Sequence, residues 1–192
     1  MANPILQLNH IFLQQIVQPG DTVIDATAGN GQDTLFLARL VAPRGMVHAL
    51  DIQAEALEAT KELVRSHSLE KYVTVHLMNH AGMAEVTEIA PRAVVFNLGY
   101  LPGGDKGIIT ETANTVHALS VAASMLSEGG VLSVVTYSGH AGGSEEEDAV
   151  ANWCRSLNRC WTVVSAGLEN KGGNPPRLWL ARKDCTAIVD HS

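Results

Sequence analysis

Apolar positions recur along the chain in two alternating periods. Ile5, Leu8, Ile11, Phe12 and Ile16 fall at helical spacing, so residues 4–17 are expected as a helix, stopped by Pro19-Gly20. Short apolar runs then alternate with helical segments. Strands are expected at Thr22–Ala26, Gly45–Leu50, Val73–Leu77, Ala93–Asn97 and Val131–Thr136. Helices are expected at Thr34–Val41, Ala54–Ser66, Thr110–Leu126 and Ser144–Asn158, with Ser144 as the cap of the last. Trp161–Ala166 and Leu178–Arg182 follow as two strands with no helix between them. Strict alternation predicts an α/β fold: a doubly wound, Rossmann-like sheet of seven strands, mostly parallel, with an antiparallel end and helices on both faces. Residues 1–192 are expected as a single domain, since one domain takes ~100–200 residues.

In such a sheet ligands sit beyond the carboxyl ends of the strands, so the residues after each strand carry the chemistry. The first strand runs into Gly29-Asn30-Gly31, where glycine permits positive φ and close backbone approach. Asp25 ends that strand and Asp51 ends the second, in the place where an acid holds a ribose diol. A dinucleotide fold wants GxGxxG with pyrophosphate on the helix. Here the third glycine is Thr34, and Asp33 at the helix start would repel a phosphate. S-adenosylmethionine (AdoMet) carries no phosphate and is cationic, so clustered carboxylates suit it. Asp25, Gly29, Asn30, Gly31, Asp33 and Asp51 are therefore expected to bind AdoMet, with Gln53, Asn79 and His80 around the adenine. Asn79 is expected to accept from the adenine amino group; the alternatives are turn-capping acids at Asp25 and Asp51 and a plain polar loop at Gln53, Asn79 and His80.

The fourth strand delivers Asn97-Leu98-Gly99-Tyr100, followed by a loop with Gly103, Gly104, Asp105 and Lys106. This arrangement resembles the N/D-P-P-Y/F motif of methyltransferases acting on nitrogen, with Leu-Gly in place of Pro-Pro. A side-chain amide oxygen there holds the target amine and leaves its lone pair in line with the departing sulfur, a gain of positioning. Gly103–Gly107 lacks the spacing of a phosphate-binding P-loop.

The segments DATAGNGQDTLFLA, ALDIQ, FNLGYLPGGDK, TYSGHAGGSEEE and NKGGNPP together resemble a small bacterial family once labelled rRNA methylases. Its characterised members methylate the modified wobble uridine of tRNA. The resemblance runs from about residue 4 to 183. It implies an AdoMet-dependent enzyme that N-methylates the 5-aminomethyl group of 5-aminomethyl-2-thiouridine at tRNA position 34. On that basis Asn97, Tyr100 and His140 are expected as catalytic residues. Leu98, Gly99, Gly103, Gly104, Asp105, Lys106, Tyr137, Asn174 and Arg177 are expected to face the substrate. Methylation of another RNA, or of a small-molecule or protein amine, is the alternative.

Charge and composition bear on the partner. The net charge of −7 argues against indiscriminate coating of nucleic acid. Residues 1–90 hold 10 acids and 5 bases, while residues 91–192 hold 10 acids and 8 bases, so the acidity lies mostly in the cofactor half. Lys106, Arg155, Arg159, Lys171 and Arg177 are left to face one shaped RNA, the anticodon arm of a tRNA. A homodimer would give so small a domain more surface for that grip. Neither a signal peptide nor a membrane span is expected. Cys154, Cys160 and Cys185 show no paired spacing, so reduced thiols, no metal and a cytoplasmic location are expected.

Overall fold

The computed structural model describes residues 3–99, 112–139 and 142–185. Among the described residues five helices and seven strands follow in chain order: α1 (Pro4–Ile16), β1 (Thr22–Asp25), α2 (Gln32–Val41), β2 (Met46–Asp51), α3 (Ala54–Ser66), β3 (Val73–Leu77), β4 (Ala93–Asn97), α4 (Thr112–Met125), β5 (Val131–Thr136), α5 (Gly143–Ser156), β6 (Trp161–Ala166) and β7 (Arg177–Lys183). Two 3-10 turns, Glu70–Tyr72 and His80–Glu85, are additions to the expected elements. The sheet order is β3-β2-β1-β4-β5-β7-β6. β1 to β5 pair in parallel, and β7 enters antiparallel between β5 and β6. The expected Rossmann-like class is the one observed.

Strand alternation divides the core between the two faces. Val23, Val47, Val95, Val131 and Val135 face α1 and α2, packing on Ile5, Leu13, Leu37 and Val41. Ile24, Val94, Phe96, Leu132 and Val134 face α4 and α5, packing on Leu119, Ala122 and Val150. Ile5 is 2% and Leu13 1% exposed. Burying one such side chain is worth ~1.5–3 kcal/mol, so α1 is docked rather than frayed. Asn3 starts this helix, its Oδ1 accepting from Ile5 N at 3.0 Å, with Pro4 in the first turn.

Three local expectations are corrected. Ser144 does not cap α5; the cap is Gly142 at φ 78°, whose carbonyl accepts from Glu146 N. Glycine reaches that left-handed conformation without a Cβ clash, so the helix starts earlier than its first hydroxyl. Cys160 and Cys185 are not free thiols but a disulfide, while Cys154 is free and buried. The antiparallel register Trp161↔Lys183 brings the two ends together, with Asp184 N donating to Cys160 O at 2.8 Å. Arg155 and Arg159 precede β6, and β6 starts beside the end of β7, at the sheet edge opposite the β1, β2 and β4 carboxyl ends. They cannot share one surface with Lys171 and Arg177. Among the described residues no helix is long and apolar enough to cross a membrane.

Candidate active site

The β1–α2 loop is held by acids at the ends of two neighbouring strands. Asp25 is fully buried. Its carboxyl accepts from Thr34 Oγ1 at 2.6 Å and from Thr27 N at 3.2 Å. Burial foremost, then the Asp33 carboxylate, pushes its pKa up from 3.8 to about 7; the bonds from Thr34 and Thr27 oppose the rise, and Asp51 adds to it. Asp51 clamps the loop from β2, one oxygen accepting from Gly29 N at 2.9 Å and the other from Gln53 N at 2.9 Å. Gly31 lies at φ 79°, where a Cβ would meet Thr60 Cα at 2.8 Å. Helix α3 thus approaches the loop so closely that only glycine fits. Thr60 Oγ1 also donates to Gly29 O at 3.1 Å. Asn30 is exposed at the loop tip, and Gln53 is the half-buried residue before α3.

Asn79 and His80 follow β3. Asn79 Oδ1 accepts from Ala81 N at 2.9 Å and caps the 3-10 turn. That bond takes one of the two lone pairs of the oxygen expected to meet an adenine. His80 is 6% exposed, edge-on to Phe96, and its Nε2 has no hydrogen-bond partner among the described residues. Burial lowers its pKa, opposed by the Asp51 carboxylate.

The end of β4 meets α1 and α2. Asn97 N donates to Thr27 Oγ1 at 2.7 Å, and Asn97 Nδ2 donates to Asp33 Oδ2 at 3.2 Å. Asp33 Oδ1 accepts from His10 Nε2 at 2.6 Å. The His10 ring lies flat on Phe36, centroids 3.8 Å apart and planes 6° from parallel. Tyr137, after β5, is half-buried; burial and the Asp33 carboxylate push its pKa up to about 12, against a hydrogen bond with Asn97. Asp33, expected at the cofactor, therefore also ties down the Asn97 amide. His10 was not among the expected site residues. Nothing in spacing links residue 10 to residue 33; only the docking of α1 does.

The remaining expected residues divide. Leu98 is fully buried and its N donates to Val135 O at 2.8 Å, so its side chain belongs to the core and not to a substrate surface. Strand alternation accounts for this, since Asn97 and Leu98 face opposite ways. Gly99 lies under the Tyr137 ring, 3.4 Å from where a Cβ would stand. Asn174 is exposed at φ 53°, its carbonyl near Gly139. Arg177 is not a free cation, because its Nε lies 3.6 Å from Glu147 Oε1. Tyr100, Gly103, Gly104, Asp105, Lys106 and His140 lie outside the described residues. Among the described residues no three His, Cys, Asp or Glu gather as a metal site.

Three carboxylates, Asp25, Asp33 and Asp51, thus crowd one glycine loop closely enough to raise a buried acid's pKa. That donor set fits a cationic ligand and disfavours a pyrophosphate. Beside it stands an amide whose nitrogen is tied to a carboxylate.

The chain is also similar to known proteins. The chloroplastic tRNA (mnm(5)s(2)U34)-methyltransferase of Arabidopsis thaliana is 43% identical over 154 residues, 75% of this chain. The chain spans about half, 56%, of that relative's length. An rRNA-methylase structure from Clostridium thermocellum superposes with a TM-score of 0.91 at 37% identity, covering 95% of this chain and 98% of that one. A methyltransferase from Streptococcus mutans, solved in complex with SAH, gives a TM-score of 0.86 at 35% identity over 95% of this chain and 99% of that one. The family described as "Putative rRNA methylase" matches residues 47–182, well over half of the sequence, and the chain belongs to that family.

Proposed function

We propose that the chain is an AdoMet-dependent methyltransferase that N-methylates the 5-aminomethyl group of 5-aminomethyl-2-thiouridine at position 34 of tRNA. The observation that carries the reading is the Asn97 amide, held by Asp33 beside a carboxylate-rich glycine loop. The name of the Arabidopsis relative supports the substrate, and the SAH complex of the Streptococcus relative supports the cofactor.

AdoMet supplies an electrophilic methyl group on a sulfonium. On the protein side, Gly29, Asn30 and Gly31 form its cradle, and Asp51, whose oxygens keep a lone pair each beyond the Gly29 and Gln53 bonds, takes the ribose diol. Asp25, beneath the loop, fixes its backbone by accepting from Thr27 N and Thr34 Oγ1. Gln53, Asn79 and His80, whose Nε2 has no hydrogen-bond partner among the described residues, provide polar groups for the adenine. The acceptor amine needs its lone pair free. Asn97 Oδ1 accepts one of its N–H groups and directs that lone pair, a contribution of orientation. The amine must also lose a proton, and His140 is proposed to take it. Tyr100 and Tyr137 stack on the base. Gly99, Gly103, Gly104, Asp105 and Lys106 shape the nucleotide pocket, with Asn174 and Arg177 toward the anticodon arm. Enzyme and tRNA are proposed to meet in the cytoplasm, with the enzyme a homodimer.

Nucleoside mass spectrometry of tRNA from a deletion strain tests this. Loss of 5-methylaminomethyl-2-thiouridine with accumulation of its aminomethyl precursor is expected, reversed by the wild-type gene and not by Asn97→Ala. Normal nucleoside levels overturn it. The acidic balance favours, as second reading, a small-molecule or protein amine; methyl transfer to a tRNA preparation that survives RNase digestion would select it.

A further inference from the structure

The first helix reaches the acceptor site through one side chain. Asn9 and His10 are consecutive on α1. Asn9 is fully buried, its Oδ1 accepting from Ser133 Oγ at 2.6 Å, which fastens the helix to β5. That anchorage, with Ile5 and Leu13 in the core, sets His10 over the start of α2. His10 then touches Asp33 and lies flat against Phe36.

We propose that His10 and Asp33 act as a positioning pair that fixes the amide of Asn97 for methyl transfer, a role that rests on the function proposed above. A carboxylate can only accept, so the Asn97 edge that meets Asp33 Oδ2 must be its NH2. This decides which way the amide lies, and turns Oδ1 toward the incoming amine. Without that tie the amide is free to turn and to carry its acceptor oxygen out of place, with the Tyr137 hydrogen bond alone to hold it. Asp33 must itself be held. At 12% side-chain exposure it is nearly enclosed, and the His10 bond at 2.6 Å fixes its other oxygen. The flat contact with Phe36 fixes the plane of the imidazole. The chain of orientation runs from α1 through α2 to β4.

Two substitutions separate the donor from the ring. His10→Phe keeps a ring on Phe36 and removes the donor; His10→Gln keeps an N–H donor and removes the ring. Steady-state turnover on tRNA bearing 5-aminomethyl-2-thiouridine, calorimetric AdoMet affinity and the side-chain NH2 resonances of Asn97 in a 15N spectrum are measured on each. The resonances are identified by their disappearance in Asn97→Ala. His10→Phe is expected to lower kcat about tenfold to a hundredfold, the scale of a small misplacement, with AdoMet affinity unchanged. It also moves the Asn97 NH2 resonances, while His10→Gln restores both kcat and resonances toward wild type. Added to Asn97→Ala, His10→Phe has little further effect, because the two act as one unit. The proposal is overturned if His10→Phe leaves kcat and the resonances unchanged, if His10→Gln falls as far as His10→Phe, or if the losses multiply in the double variant. A wild-type protein that transfers no methyl group to this tRNA overturns the proposed function instead, and the resonances then decide the positioning pair by themselves.

Discussion

The buried carboxyl of Asp25 makes a quantitative prediction about stability. Its ordinary pKa of 3.8 rises to about 7 in the fold, chiefly through burial, then through the Asp33 carboxylate. An acid whose folded value is raised keeps its proton when folded and loses it when unfolded. Its contribution to stability is therefore complete below about pH 3.8 and disappears as pH rises through about 7. Each unit of pKa difference is worth ~1.4 kcal/mol, so from pH 5 to pH 8 the ligand-free protein loses about 2–3 kcal/mol from this one group. Asp25→Asn is the neutral counterpart. Its oxygen still accepts from Thr27 N, and the Thr34 hydroxyl rotates to accept from the new NH2. Urea unfolding of both proteins at pH 5, 6, 7 and 8 isolates the term, since every other group titrates in both. The stability of wild type relative to Asp25→Asn should fall by about 2–3 kcal/mol across that range. Asp33→Asn, which removes the second cause, should move the fall to lower pH without abolishing it. Parallel curves for wild type and Asp25→Asn would refute the reasoning.

Other consequences concern the loop and the acceptor. Asp51→Ala removes a carboxylate that accepts from both Gly29 N and Gln53 N; losing one charged hydrogen bond to the ribose costs ~1.5–3 kcal/mol, so calorimetry should show AdoMet bound about tenfold to a hundredfold more weakly. Gly31→Ala should destabilise the protein by about 1–3 kcal/mol in urea, through overpacking against α3. Thr60→Ala should not rescue it, because the atom nearest the added Cβ is the Thr60 Cα. Asn97→Ala should lower kcat about a hundredfold while AdoMet affinity changes little; equal losses would mean that Asn97 only shapes the cofactor site.

The sequence carried most of the fold because its signals are local. β3, β4, β5, β6 and α3 fall on the boundaries that their periodicity predicts. The corrections occur where a distant segment decides. Cys160 and Cys185 become neighbours only through the β6–β7 register, 25 residues apart. Arg177 is paired by Glu147, which α5 brings back over β5. Glu146, in the acidic run at the start of α5, is buried and accepts from Thr115 Oγ1 of α4 at 2.7 Å, 31 residues away. The site followed the same rule. Asp25, Asp51 and Asn97 were legible as candidates because each ends a strand. The tie from Asp33 to Asn97 spans 64 residues and that from His10 to Asp33 spans 23, and neither follows any local period.

The most direct measurement is an in vitro reaction of the purified protein with methyl-labelled AdoMet and tRNA carrying 5-aminomethyl-2-thiouridine, followed by digestion and nucleoside mass spectrometry. The account predicts label in 5-methylaminomethyl-2-thiouridine alone, lost in Asn97→Ala. Label on any other nucleoside, or an untouched aminomethyl group, would contradict it.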